Sequence, residues 1–215
     1  MQRATGTYGE DPRLTRDLAQ AYVNAMQSTW AEDGTDLGWG AESVYCFTKH
    51  FAGAGASEGG RDDHRNPGRY SVFPGDNYEA HLIAYFDGTF NLPGLTGSAG
   101  VMPQYAINVD AEGNPYGGEW GGSFNPFNMG LLTNNWEGLA VTDWGIINGL
   151  MAIWGVEEYT EAERIARIWE MGGMHLGLQS DMTQIAEASP SCRRMLAKRR
   201  HMTCWPTALT SSWSF

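Results

Sequence analysis

Short apolar runs alternate with helical patterns along this chain, and the alternation restricts the fold more than any other sequence feature. Apolar, β-prone runs predict strands at 44–47, 100–105, 138–142 and 172–178. Helical patterns predict helices at 11–30, 77–86, 128–135 and after Thr160. Strands separated by helices favour a parallel α/β structure, in which right-handed connections bring the carboxyl ends of the strands to one rim.

The starts and buried faces of two helices are predicted from single residues. Asp11 and Pro12 mark the start of the first helix. Its apolar residues recur every four positions and predict a face turned toward the core: Leu14, Leu18, Tyr22 and Met26. Thr160 and Glu163 have the spacing of a capping box. The side chains predicted to point inward from that later helix are Ile165, Ile168 and Trp169.

A carboxylate followed by an indole ends the apolar run 138–142. Asp143 stands where the predicted strand opens into a loop, and Trp144 follows it directly. In barrels of alternating strands and helices this position faces the active site. An aromatic face can pack on the C–H surface of a sugar ring while a carboxylate attacks or stabilises the anomeric carbon. The alternative is that Asp143 only caps the following turn.

A second polar group follows the predicted strand 44–47. Lys49 and His50 are adjacent, and Gly53 and Gly55 behind them allow a tight backbone turn. Each residue alone has an ordinary interpretation, Lys49 as a solvated surface charge and His50 as a core histidine. Together at a strand end they predict a polar clamp for hydroxyl groups.

Four motifs in this order resemble glycoside hydrolase family 3, the group of β-glucosidases and exo-glucanases. They are Tyr-Gly-Glu-Asp-Pro at 8–12, Lys-His-Phe at 49–51, Val-Met-Pro-Gln-Tyr at 101–105 and Val-Thr-Asp-Trp at 141–144. The resemblance implies an α/β fold, a partial (β/α)8 TIM-type barrel. Because the family's earlier strands would precede Arg3, the chain is expected to be the C-terminal portion of the barrel with early strands missing.

The resemblance also implies the roles of site residues. Asp143 matches the nucleophile of a retaining β-glycosidase, which forms a covalent glycosyl-enzyme. The positions that match sugar-binding residues are Lys49, His50, Tyr105, Trp144 and Arg3, with Arg61, Asp62 or Asp63 supplying a further contact. The family's acid/base comes from beyond the barrel. The missing remainder of the polypeptide is therefore an expected partner, and this chain alone is expected to be inactive.

The charge balance restricts the partners of this protein. With 14 basic and 25 acidic residues the chain carries a net charge of -11, which argues against nucleic acid or an anionic membrane surface. A neutral β-linked oligosaccharide or glycoside is compatible with this charge, and no cofactor is implied. No run is long enough to span a membrane. Three cysteines do not indicate a disulfide framework.

The sign of the charge changes near the end of the chain. Acidic residues outnumber basic ones 24 to 9 up to Ala186, whereas 187–215 holds five basic residues and one acidic residue. We therefore predict a partial-barrel catalytic domain at 1–186 and a basic, irregular tail at 187–215 that is expected not to be native family sequence, with a short helix near 192–200.

Two alternatives from other functional classes are open at this point. A non-catalytic carbohydrate-binding fragment would have the same sugar-binding residues without turnover. A metal-dependent hydrolase would use oxygen and nitrogen ligands from the histidines and the loop carboxylates, although these have no recognised ligand spacing. The candidate ligands are His50, Asp62, Asp63, His64 and His81.

Overall fold

The computed structural model describes residues 6–173 and 175–199. Its helices are α1 (Pro12–Gln27), α2 (Pro126–Asn135), α3 (Glu161–Glu170) and α4 (Met182–Arg199). Its strands are β1 (Phe47–Phe51), β2 (Tyr70–Val72), β3 (Gly100–Pro103) and β4 (Ile107–Val109). Short 3-10 turns and one π turn connect them. The predicted α/β class is confirmed.

The strands form small parallel sheets. β1 pairs with β3, and β2 pairs with β4, both in parallel. Beyond β3, single parallel bridges join Val101 to Ala140 and Val141 to His175. The order across this layer is therefore β1, β3, the segment before Asp143, and the segment at His175. All four run in the same direction, so their carboxyl ends lie at the same edge.

Several predicted element boundaries were wrong. The strand lies at Phe47–Phe51 instead of 44–47, because the backbone N–H groups of Val44 and Cys46 bond to Met26 O and Gln27 Oε1 at the end of α1. The predicted strands at 138–142 and 172–178 are reduced to isolated bridges. The predicted helix at 77–86 is replaced by a 3-10 segment and a π turn, in a region where Asp76 has a left-handed φ of 55°.

Helix α1 is turned the opposite way from its prediction. The four residues at its four-residue spacing are all exposed: Leu14, Leu18, Tyr22 and Met26. The buried side carries amides that bond to loops of the main body. Gln20 Nε2 donates to Asn91 O at 2.8 Å, Asn24 Oδ1 accepts from Gly94 N, and Gln27 Nε2 donates to Ser98 O. Hydrogen bonding, and not the apolar stripe, therefore sets the orientation of this helix.

Helix α3 is oriented as predicted. Thr160 Oγ1 accepts from Glu163 N, and Glu163 Oε2 accepts from Thr160 N, which completes the capping box. Ile165 and Ile168 are fully buried, and Trp169 packs partly buried against the same cluster. The capping box and the apolar face thus specify the same helix orientation.

Two clusters of buried apolar side chains pack around the layer of parallel segments. The first lies around Phe51, Phe73 and Val101 and includes Met129 and Leu132 of α2. The second lies under α3 and includes the loop residues Ile147 and Val156. Residues 141–143, which lead to the carboxylate of interest, lie between these clusters and are almost fully buried.

Helix α4 runs across the point at 186 where the charge changes sign, and it packs against α3. The regular structure thus continues into the basic segment, and residues 200–215 lie outside the described part. Within the described residues, no helix has both the length and the apolar character needed to cross a membrane.

Candidate active site

The backbone before Asp143 is fixed on both sides. Val141 N donates to Val101 O at 2.9 Å, and Thr142 N donates to His175 O at 3.0 Å. The Thr142 hydroxyl accepts from Gly177 N at 2.8 Å. Asp143 is 5% exposed, and its Oδ1 accepts from Trp144 N at 2.6 Å. The carboxylate therefore leaves the end of the parallel layer in a defined direction.

His50 contacts this carboxylate from the neighbouring motif. Its Nε2 lies 3.2 Å from Asp143 Oδ2, and both side chains are largely buried. His50 was predicted to follow a strand, but it lies within β1. The parallel order nevertheless brings it to the same edge as Asp143. The two motifs that the sequence analysis singled out separately thus meet in space.

The surroundings of Asp143 favour its ionised form. Burial alone raises the pKa of this carboxyl group, but the His50 ring nitrogen 3.2 Å away acts in the opposite direction. The bond from Trp144 N adds to this, so the net pKa of Asp143 lies below its ordinary value. A buried carboxylate that stays anionic at neutral pH is suited to act as a nucleophile.

Tyr105 and Trp144 complete the same cluster. Tyr105 is buried, and its hydroxyl donates to the Trp144 carbonyl oxygen. The Trp144 indole is 48% exposed beside the buried carboxylate. Its ring lies against the backbone of Gly177, where an added Cβ would come within 2.2 Å of Trp144 Cε3. The absence of a side chain at Gly177 therefore permits the position of the indole.

His64 is a neighbour of this cluster that the sequence analysis placed only among loop ligands. Its Nδ1 lies 2.6 Å from Asp62 Oδ1 and 3.2 Å from Asp63 Oδ1. Its ring packs on Tyr105 with ring centroids 4.4 Å apart. His64 directly follows the predicted contact residue Asp63, but its packing on Tyr105 depends on how the long loop folds back. No local pattern encodes that packing.

The predicted set of metal ligands is only partly assembled. Asp62, Asp63 and His64 offer ligand atoms within 4.8 Å of one another, and His64 Nδ1 contacts both carboxylates. His50 instead faces Asp143, and the His81 ring packs on Phe73 with centroids 5.1 Å apart. Burial lowers the pKa of His81. In the described part of the chain, the five candidate metal ligands therefore do not form one site. Only the three neighbours in the loop lie together.

The other predicted sugar-binding residues lie outside the cluster. Lys49 is exposed in β1. Arg61 is exposed at the end of a 3-10 turn, Glu58–Gly60. Asp63 is buried beside His64, and its backbone carbonyl accepts from Trp154 Nε1 at 3.1 Å. Arg3 lies outside the described residues. The geometry therefore unites His50, Asp143, Tyr105 and Trp144.

The sequence matches a known family over most of its length. The sequence model for the glycosyl hydrolase family 3 N terminal domain matches residues 1–166. The chain belongs to glycosyl hydrolase family 3. All four motifs that suggested the family fall inside this match, and so do Asp143 and His50.

Family 3 relatives with similar sequences are β-glucosidases. A probable beta-glucosidase C of Aspergillus flavus is 35% identical over 79% of this chain and 26% of its own length. Beta-glucosidase C of Emericella nidulans is 33% identical over 79% of this chain. A periplasmic beta-glucosidase/beta-xylosidase of Dickeya chrysanthemi is 33% identical over 86% of this chain and 30% of its own length. The chain thus spans less than a third of the length of these relatives.

One solved structure of similar fold is that of Zn-bound CbsA from Thermotoga neapolitana. The TM-score is 0.53 over 91% of this chain and 36% of that chain, at 16% sequence identity. At this identity the similarity concerns the fold alone.

Proposed function

We propose that the protein to which this chain belongs hydrolyses β-linked glycosides with retention, using Asp143 as the nucleophile. The observation that carries the proposal is the buried Asp143 carboxylate, held 3.2 Å from His50 Nε2 beside an exposed indole. The names of the family 3 relatives support a β-glucoside as the substrate.

In the proposed reaction, an Asp143 oxygen attacks the anomeric carbon as the bond to the leaving oxygen breaks. The leaving oxygen takes a proton from an acid, and the resulting glycosyl ester is hydrolysed when the same group, now a base, activates water. Trp144 would pack on the sugar face, and His50 and Lys49 would bind hydroxyl groups. The acid/base would come from the remainder of the polypeptide.

The same proposal extends to the fold. The four parallel segments would be the C-terminal part of a (β/α)8 barrel, with Asp143 on the rim where such enzymes bind substrate. Other strands of such a barrel would then pair with β1 on the side away from β3. Large apolar side chains of α1 are exposed, and they support contact with further protein.

The first prediction is that Asp143→Asn abolishes turnover in the full-length protein. The amide keeps the shape of the side chain but cannot act as an anionic nucleophile, so kcat on an aryl β-glucoside should fall by about 10³-fold or more. Asp110→Asn is a matched control, because Asp110 only bonds within its own turn. Near-normal turnover by folded Asp143→Asn protein would contradict the proposal.

The second prediction is that the 215-residue chain alone turns over the same substrate negligibly. Without a positioned acid, the rate should be lower than that of the full-length protein by about 10²- to 10⁴-fold. The Asp143→Asn chain measures the background from contaminants. Turnover by the isolated folded chain at the full-length rate would show that an acid/base lies within these residues. Glycan binding without turnover, both in the chain and in the full-length protein, would favour the non-catalytic alternative.

A further inference from the structure

The backbone just after His50 is held by buried amide side chains. The carbonyl oxygen of Ala52 accepts from Gln104 Nε2 at 2.8 Å and from Asn108 Nδ2 at 3.2 Å. The carbonyl oxygen of Phe51 accepts from Asn128 Nδ2 at 3.4 Å and from the backbone N–H of Gln104 at 2.8 Å. Two consecutive carbonyls thus receive four hydrogen bonds, three of them from side chains.

The three amides belong to one buried network. Gln104 Nε2 also donates to Asn108 Oδ1, and Asn108 Nδ2 lies 3.5 Å from the Tyr78 hydroxyl, which donates to Asn128 Oδ1 at 3.3 Å. Each amide is at most 3% exposed. Because a buried amide without partners is costly, each member of the network helps fix the orientation of the others.

These bonds occur where the sheet no longer determines the path of β1. The pairing of β1 with β3 shifts register between Lys49 and Phe51, so His50 has no partner in the ladder. Gln104 directly follows β3, Asn108 lies in β4 and Asn128 lies in α2. Their bonds hold the backbone immediately after this irregularity. The direction of the His50 ring therefore depends on the amides more than on strand pairing.

We propose that Gln104, Asn108 and Asn128 are positioning residues that hold His50 against the Asp143 carboxylate. None of the three is exposed to a bound sugar, so they act through the backbone of Phe51 and Ala52. The importance of this role for catalysis rests on the proposed function, whereas the placement of His50 by the three amides does not.

The test compares two buried glutamines of the same chain. Gln104→Met and Gln27→Met each remove an amide that is at most 2% exposed while keeping the length of the side chain. Gln27 bonds to Cys46 N, Thr96 and Ser98 and touches neither Phe51 nor Ala52. The Asp143 carboxyl resonance is followed by ¹³C NMR in aspartate-labelled chain during acid titration and is assigned with Asp143→Asn.

Loss of the His50 contact leaves burial as the main influence on Asp143. We therefore expect the titration midpoint of Asp143 to move upward in Gln104→Met, and to move less in Gln27→Met. Asn128→Leu, which removes a longer hydrogen bond, should move it in the same direction by a smaller amount. A midpoint unchanged in folded Gln104→Met and Asn128→Leu, an equal movement in Gln27→Met, or general unfolding of both network variants would overturn the proposal.

This measurement needs no substrate and so separates the two proposals. If the midpoint moves as expected while full-length Asp143→Asn keeps its turnover, the positioning role stands and the nucleophile assignment fails. If Asp143→Asn abolishes turnover and the midpoint does not move, the nucleophile assignment stands and the positioning role fails.

Discussion

Asp143 owes its proposed reactivity to a balance between burial and hydrogen bonding. Burial opposes ionisation, and the contacts with His50 and Trp144 N more than offset it. The residue identities could be read from the sequence, since strand ends on one edge are expected to meet. The direction of the pKa shift of Asp143 could not be read from the sequence. It depends on the His50 ring of β1, whose Nε2 lies 3.2 Å from the carboxylate.

A third prediction concerns the pH dependence of stability at this residue. Because folding lowers the pKa of Asp143, its ionised form stabilises the folded state fully above the pKa of the unfolded chain, and that contribution is lost as the pH falls through the lower pKa of the folded state. Asp143→Asn has no such proton to bind. The free energy of unfolding of the two proteins should therefore differ most near pH 7 and converge below about pH 4.

Urea unfolding at a series of pH values checks this prediction. Parallel stability curves for the two proteins across the acid range would mean that the folded environment does not favour the ionised carboxylate.

At the scale of single elements, α3 combines local and tertiary signals that agree. A fourth prediction is that Thr160→Ala lowers the free energy of unfolding by about 1 kcal/mol, because the hydroxyl that accepts from Glu163 N and donates to Glu163 Oε2 is lost. The measurement is urea unfolding at neutral pH. Thr183→Ala is a control with the same side-chain change, at an exposed threonine whose backbone N–H donates to Asp181 Oδ1. Equal losses in both variants would contradict a specific capping effect.

The elements that were predicted badly are those whose partners lie far away in sequence. The apolar spacing of α1 was correct, but the helix is turned by amides that bond to loops around residues 88–98. β1 was placed too early because Val44 is β-prone, whereas its backbone bonds to the end of α1. His64 was missed as a neighbour of Tyr105 because its loop folds back over that ring. Local propensity specifies an element, and distant hydrogen bonds decide where it faces.

At the scale of the whole molecule, the apolar surface is distributed unevenly. The parallel layer and α3 cover large apolar clusters, whereas large exposed apolar side chains are concentrated in residues 8–47. They include Leu14, Leu18, Tyr22, Met26, Trp30, Leu37 and Trp39. Exposed apolar surface is more common at sites of protein contact than elsewhere on a protein. The α/β class could thus be predicted from sequence, whereas this exposed apolar surface could be recognised only from the orientation of α1 in the structure.

The reversed orientation of α1 has a consequence for the local stability of the chain. The only apolar side chain that the helix buries is Val23, in a small cluster with Leu92 and Ala99, whereas α3 adds Ile165, Ala166 and Ile168 to a large one. A fifth prediction is that α1 opens without global unfolding, so that its amide protons exchange with solvent much faster than those of α3. Hydrogen–deuterium exchange at several protein concentrations measures this. Equal protection of the two helices would mean that the outer face of α1 is covered in solution, and loss of that protection on dilution would identify the cover as a second copy of the chain.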